Sequence, residues 1–325
     1  MPQPIRWGIL SGSNFAVNQM APGIVEASGA ELVALATKSE AKADRFRTFA
    51  PGIRVHGDYE ALLADPGIDA VYIPLPNSMH IDWASKALRA GKHVLVEKPI
   101  AMRADQIDPL IKLRDETGLV CAEAYMIVHH PQWLKTRELI RGGAVGELKL
   151  VDVAFSFRLL DGNNIRNRAE MGGGSLPDIG VYTMGSVRWV TGQEPETVSA
   201  QIDWENGIDT TAHVQARFPG FAYQMTTSMR LCPRQEVIFH GTEGVLRVTA
   251  PFNAGTFGEA AVTLQKADHS VQQFRFPDAR QYRLQVEAFA RAVRGEAAFP
   301  WTLEDARGTQ EFIDRAYAAA GPRPS

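Results

Sequence analysis

The first 122 residues repeat one pattern: a short, almost wholly apolar run, a stretch with one apolar helical face, then another apolar run. Ile5–Leu10, Ala30–Thr37, Ala70–Ile73, His93–Val96 and Leu119–Ala122 read as strands, with a shorter one around Val55. The segments between them read as helices over 15–27, 42–49, 59–64, 80–90 and 105–117, with Asp58 placed to cap the third. The strands show little polar alternation, as expected when helices cover both faces of a parallel sheet. Strands and helices alternating with such short crossovers make the fold class α/β, a doubly wound parallel sheet.

The texture changes after about Gly146. Residues 148–158, 197–204, 210–218, 222–230, 236–240 and 244–249 read as successive strands. Tight turns such as Pro219-Gly220 join them, which predicts a mostly antiparallel sheet. A helix over 178–190 precedes most of these strands, and helices over 283–293 and 303–320 close the chain. A length of 325 residues exceeds what one core usually serves. Two domains are expected, 1–122 and 123–325, with the final helices able to pack back on the first. Partial alternation from Leu148 onward predicts a sheet covered on one face. Its other face is expected to be apolar and buried by a second copy, giving a homodimer or a dimer-based tetramer.

Several classes are excluded. A net charge of −3 with scattered basic residues offers no nucleic-acid footprint. No apolar run approaches the ~20 residues of a membrane span. The two cysteines, Cys121 and Cys232, have no zinc or disulfide spacing, and each is expected to be a small buried apolar residue. The scattered histidines build no metal site. The chain enters a strand by Ile5, which leaves no room for a signal peptide, so a cytoplasmic location is expected.

The chemistry gathers at strand ends. Val94-Leu95-Val96 runs into Glu97-Lys98-Pro99, a charged pair where an apolar strand stops. In open α/β sheets ligands bind at that end. A lysine there can hold a substrate hydroxyl; taken alone, it also fits a surface lysine. The turn after the first strand is Ser11-Gly12-Ser13-Asn14-Phe15-Ala16. It aligns with the dinucleotide-binding pattern G-x-G-x-x-G/A but carries serines at the first two glycine positions. Taken alone, it equally fits an ordinary strand-to-helix turn with a serine cap. The second strand runs into Thr37-Lys38-Ser39 with no acid before Glu40. Donors without an acid suit a ribose 2′-phosphate, so NADP is expected, with NAD as the alternative.

A second cluster, Gly172-Gly173-Gly174 through Asp178 to Tyr182, joins close backbone approach to a carboxylate and a phenol four residues apart. Beside Lys98 these make a proton-transfer set. Apart from it, Asp178 fits a helix cap and Tyr182 a packing aromatic.

These motifs, with Trp7-Gly8-Ile9-Leu10, Pro76-Asn77-Ser78-Met79-His80, Glu123-Ala124-Tyr125-Met126, His130-Pro131-Gln132 and Asn164-Ile165-Arg166, resemble the Gfo/Idh/MocA oxidoreductase family in order and spacing. The resemblance implies a Rossmann domain followed by an α/β domain with a large open sheet. It implies hydride transfer between a nicotinamide cofactor and a sugar, polyol or related alcohol. Lys98 matches the family's active-site lysine and Asp178 its acid. Tyr182 matches the branch of glucose-fructose oxidoreductase, dihydrodiol dehydrogenase and NADP-dependent xylose dehydrogenase. Cofactor contacts are expected from Ser11, Gly12, Ser13, Asn14, Phe15, Thr37, Lys38, Pro76, Asn77, His80, Glu97, Lys98 and Arg166. Ile127-Val128 depart from the Tyr-Arg common in this branch, and His129 is a candidate pocket group. The small-molecule substrate is unnamed by the sequence. A cofactor-binding sensor without turnover and a glycoside-processing enzyme on the same scaffold are the alternatives.

Overall fold

Short apolar strands and amphipathic helices assemble into two units in the computed structural model, which describes residues 3–322. The first unit takes the chain up to residue 101, then 105–129 and 280–306; the second takes 102–104, 130–279 and 307 onward.

In the first unit six strands pair in parallel: β1 (Ile5–Leu10), β2 (Ala30–Ala36), β3 (Arg54–His56), β4 (Ala70–Ile73), β5 (His93–Val96) and β6 (Cys121–Glu123). Their order is β3-β2-β1-β4-β5-β6. The order reverses between β1 and β4, so the crevice at their carboxyl ends is the topological switch point. The first crossover is a π-helical turn, Ala16–Met20, that runs into α1 (Ala21–Glu26) instead of one regular helix. The later crossovers are α2 (Glu40–Arg47), α3 (Tyr59–Ala64), α4 (His80–Arg89) and α5 (Asp108–Thr117). Asp58 caps α3 as expected, accepting from the Ala61 amide at 2.7 Å. α4 turns Trp83, Ala84, Ala87 and Leu88 onto Val71, Ile73, Val94 and Val96.

The second unit contains helices α6 (Pro131–Arg141) and α7 (Val181–Thr191), and its strands β7 (Leu148–Arg158) and β8 (Thr197–Glu205) to β12 (Gly244–Val248) build most of an eight-stranded sheet. β9 is Ile208–Phe218, β10 Phe221–Ser228 and β11 Arg230–Gly241. β13 (Ala261–Lys266) and β14 (Val271–Arg275) extend it at one edge. Every pair is antiparallel except β7 with β10. One face is buried through Val151, Val153, Phe155, Tyr223, Met225, Val237 and Phe239. The other face is open, but it is not the apolar surface expected. Gln201, His213, Gln215, Arg217 and Gln224 stand exposed there, around half-buried Leu148, Leu150, Ile238 and Val245. Cys121 is buried, whereas Cys232 is exposed. The β11–β7 register breaks between Arg230 and Arg234, which lifts residues 231–233 out of the ladder.

α8 (Gln281–Val293) returns to the first unit. Its Phe289 ring lies 4.9 Å from Trp7, and its Tyr282 ring 5.8 Å from Phe15. A Cβ on Gly23 would stand 3.0 Å from the Tyr282 Cβ, so glycine lets α1 lie close on α8. α9 (Leu303–Ala320) closes the chain.

Candidate functional site

Ser11 leaves β1 with a φ of 103°, a conformation that suits glycine. The backbone thus takes a glycine-like turn here although the residue is serine. Ser13 behaves as a cap: its Oγ accepts from the Ala16 amide at 3.1 Å. Asn14 accepts from Arg45 Nη1 at 2.7 Å. A Cβ at Gly12 would lie 3.1 Å from the Lys42 Cβ, so the Lys42 stem runs against the loop. Ser11, Thr37, Lys38, Ser39 and Lys42 line a cavity of about 510 Å³. Asp58 and Glu60 line it too, but both are engaged, Asp58 in the α3 cap and Glu60 with Lys86 at 2.9 Å.

Glu97 and Lys98 follow β5. Glu97 faces inward to the fold: Tyr72 donates to its Oε1 at 2.5 Å, and the Lys98 amide to its Oε2 at 3.2 Å. The Lys98–Pro99 peptide is cis. Pro76 and Asn77 leave β4 into a short 3₁₀ turn, at the switch point beside the Ser11–Phe15 loop. His80, expected to touch the cofactor, is instead fully buried. Its Nδ1 lies 2.7 Å from the Pro99 carbonyl and its Nε2 2.8 Å from the Leu75 carbonyl. Burial pushes its pKa down to about 4, against those two carbonyls and helped by the charge of Lys98. A neutral ring has one N–H, so it donates to one carbonyl at a time. His80 therefore ties the loop after β4 to the turn after Lys98, a positioning role.

Glu123, at the end of β6, is a residue to which the sequence reading gave no task. Ile100 N donates to its Oε1 and Trp301 Nε1 to its Oε2, each at 2.8 Å. Burial pushes this carboxyl up to about 7, against both donors. Trp301 stacks on Tyr125 at 4.1 Å. The available signal was an acid closing an apolar strand two positions from a tyrosine. His129 is packed against Phe299 at 5.0 Å, and burial pushes its pKa down to about 3.

In the second unit a π-helical turn, Leu176–Gly180, runs directly into α7 and carries Asp178 towards Tyr182. π turns inside helices recur at functional sites. The glycines before it serve the fold. Gly172 is left-handed at φ 76°, and a Cβ on Gly173 would stand 2.4 Å from the Arg166 carbonyl oxygen. Asp178 does not cap the helix. Its Oδ2 accepts from Arg166 Nε at 2.7 Å, which places Arg166, expected among the cofactor contacts, on the acid. Asn164 caps the short turn that presents Arg166. The Tyr182 ring is buried against the stacked pair of Phe155 and Phe252, 6.1 Å from the first and 5.8 Å from the second. Lys98 belongs to the first unit, and Arg166, Asp178 and Tyr182 to the second.

Comparison with known proteins adds an independent line. Residues 5–125 match the family profile described as the oxidoreductase family, NAD-binding Rossmann fold. Residues 133–247 match the GFO/IDH/MocA C-terminal domain. The chain is 37% identical over 322 residues to an uncharacterized oxidoreductase of Rhizobium meliloti, covering 95% of each. It is 32% identical over 315 residues to the dTDP-3,4-didehydro-2,6-dideoxy-α-D-glucose 3-reductase of Actinomadura kijaniata, covering 96% of this chain and 94% of that one. A crystal structure of a 3-ketoreductase from the same organism, in complex with NADP and TDP-benzene, superposes with a TM-score of 0.89. Its identity is 29%, and 98% of each chain is covered.

Proposed function

Because the chain belongs to the GFO/IDH/MocA oxidoreductase family, we propose that it transfers a hydride between NADP(H) and a hydroxyl or carbonyl carbon of a sugar or related polyol. The observation that carries the reading is Lys98 at the carboxyl end of β5, its turn held by Glu97, His80 and Glu123. The 3-reductase among the relatives acts on a nucleotide-linked keto sugar, which supports a sugar substrate. Structures of the Actinomadura kijaniata ketoreductase include a form with one tyrosine changed to phenylalanine and one with a lysine changed to alanine. Those positions lie the same number of residues apart as Lys98 and Tyr182.

The residues present fit NADP(H). The loop at Ser11–Phe15 has the glycine-like turn, and the end of β2 offers Thr37, Lys38 and Ser39 with Lys42 behind them. Pro76 and Asn77 flank the same crevice. Bound cofactor supplies or takes the hydride, and the protein contributes orientation and proton transfer. Lys98 orients the substrate oxygen and stabilises negative charge on it. Tyr182 takes the hydroxyl proton in oxidation and returns it in reduction. Asp178, fixed by Arg166, orients the set.

Self-association as a homodimer or dimer-based tetramer goes with this reading; although polar residues flank them, half-buried Leu148, Leu150, Ile238 and Val245 leave apolar surface on the open sheet face for a second copy to cover. A cytoplasmic location fits two cysteines that are both free thiols. Among the described residues no helix is long and apolar enough to cross a membrane.

The test is single-turnover hydride transfer with D-xylose, D-glucose and a dTDP-linked 3-keto sugar. Tyr182→Phe should slow transfer by about 10²- to 10⁴-fold, the usual range for a positioned proton-transfer group. Lys98→Ala should cost at least as much, and the double variant little more than either alone. Near-normal transfer in Tyr182→Phe would return that tyrosine to a packing role.

A further inference from the structure

Asp209, near the start of β9, is 1% exposed and has no task in the reaction described above. Three donors converge on it. Tyr317 Oη donates to its Oδ1 at 2.6 Å. Ser175 Oγ and the Leu176 amide donate to its Oδ2 at 2.8 and 2.6 Å. Thr227 Oγ1 lies 3.1 Å from the Ser175 hydroxyl. Burial raises this carboxyl to about 6, against the three donors. Gly174 is shaped to it: φ is 137°, and a Cβ there would stand 2.1 Å from Asp209 Oδ1. No other side chain fits at 174 while the carboxylate keeps its place.

Ser175 and Leu176 begin the helical run that carries Asp178 and Tyr182. Amides at the start of a helix lack partners within it. Here one is satisfied by a carboxylate from another element, with α9 closing the second oxygen through Tyr317. The anchored turn is π-helical. A π turn freed at its start can tighten to α, which rotates the residues before the change by roughly 100° relative to those after it. Asp178 lies within that turn and Tyr182 after it. Anchoring the Leu176 amide therefore fixes the angle between the acid and the phenol. A neutral cap would satisfy the amide alone, but the site presents three donors, and a carboxylate has two acceptor oxygens and no donor.

We propose that Asp209, closed by Tyr317, is a positioning residue that holds the Leu176–Tyr182 turn in register and so sets Asp178 and Tyr182 for proton transfer. The proposal rests on the acid–base reading of Tyr182, and its test separates the two. Asp209→Asn and the milder Tyr317→Phe would be made in the full chain, and rates normalised to NADPH-binding sites. Amide exchange by mass spectrometry should quicken about tenfold over residues 174–184 in Asp209→Asn, with β9 and β10 unchanged. Hydride transfer with the best substrate of the sugar panel should fall about tenfold or more in Asp209→Asn and about three- to tenfold in Tyr317→Phe, with NADPH affinity within twofold. In a Tyr182→Phe background Asp209→Asn should cost less than twofold. Equal losses in both backgrounds, or unchanged exchange over 174–184, would overturn the proposal. So would faster exchange with normal transfer. Near-normal transfer in Tyr182→Phe alone refutes the acid–base reading, and the exchange comparison then decides whether Asp209 holds the turn.

Discussion

Replacing Lys38 with aspartate tests the cofactor assignment most directly. β2 ends at Ala36, Lys38 is exposed, and Lys42, whose stem runs against Gly12, lines the same cavity. A phosphate dianion about 5 Å from one ammonium gains roughly 1.7 kcal/mol at the dielectric constant of water. Screening at physiological salt leaves about 1 kcal/mol of that. Two lysines then favour NADPH over NADH by about 2 kcal/mol, roughly thirtyfold, and at least tenfold after the cost of ordering the side chains. The nearby acids weaken this little, because Glu60 is paired with Lys86 and Asp58 is used as a cap. Lys38→Asp removes one attraction and adds a repulsion of about the same size, which cancels the preference. The new carboxylate can also accept from the 2′-hydroxyl of NADH, worth about 1 kcal/mol. The expected outcome is an inverted preference of about fivefold for NADH. Titration of nicotinamide fluorescence measures both affinities, and added salt should weaken NADPH more than NADH. Equal affinities in the native protein, or an unchanged ratio in Lys38→Asp, would refute the reasoning.

Other expectations follow from single residues. Ser11→Gly relieves a serine held at φ 103° and should raise stability by up to about 1 kcal/mol, read as a higher Tm; a lower Tm would show that the serine side chain contributes. Glu123 has its carboxyl raised from 4.5 to about 7, so its contribution is greatest below pH 4.5 and is lost as pH rises through 7. Relative to Glu123→Gln, the native protein should lose about 3 kcal/mol between pH 4.5 and 8 in urea unfolding followed by Trp301 fluorescence, and a pH-independent difference would contradict this. Light scattering at micromolar concentration should show a dimer or tetramer, and Ile238→Lys on the open sheet face should shift it towards monomer; a native monomer rules the association out.

The parallel sheet was legible because its strands are short, apolar and separated by helical periods, a pattern with few other solutions. β4 and β10 illustrate the difference in what a run of residues reveals. Ala70–Ile73 is buried throughout and bounded by turns, whereas Phe221–Ser228 alternates and fits either sheet type until its partners are known. α6 was given no place in the sequence reading, although proline at the first turn costs the helix no hydrogen bond. β14 was missed because Val271–Arg275 is an exposed edge with no apolar alternation. At the site, Lys98 was visible as a charge closing an apolar strand. The place of His80 was not visible, because its partner Pro99 lies 19 residues away and is met only through the β4–β5 pairing. Arg166 was read as a cofactor contact for the same reason: nothing in the spacing shows that a 3₁₀ turn lays it on Asp178.

The buried acids follow one logic. Glu123 meets the amide of Ile100 and the indole N–H of Trp301; Asp209 meets the amide of Leu176 and the hydroxyls of Ser175 and Tyr317. Each pocket presents donors to both oxygens. Asparagine or glutamine would put an NH₂ against one of those donors and leave a buried group unsatisfied. The raised pKa values are a consequence of burial, which outweighs the donors that favour each charged form, and neither acid has to exchange a proton in turnover. Both sit beside turns of the proposed site, Glu123 on the one after Lys98 and Asp209 at the start of the one that holds Asp178. Burying a carboxylate costs stability, and fully satisfied polar networks are also rigid. Rigidity is what hydride transfer needs, since a displacement of about 1 Å at the reacting groups can cost on the order of a hundredfold in rate.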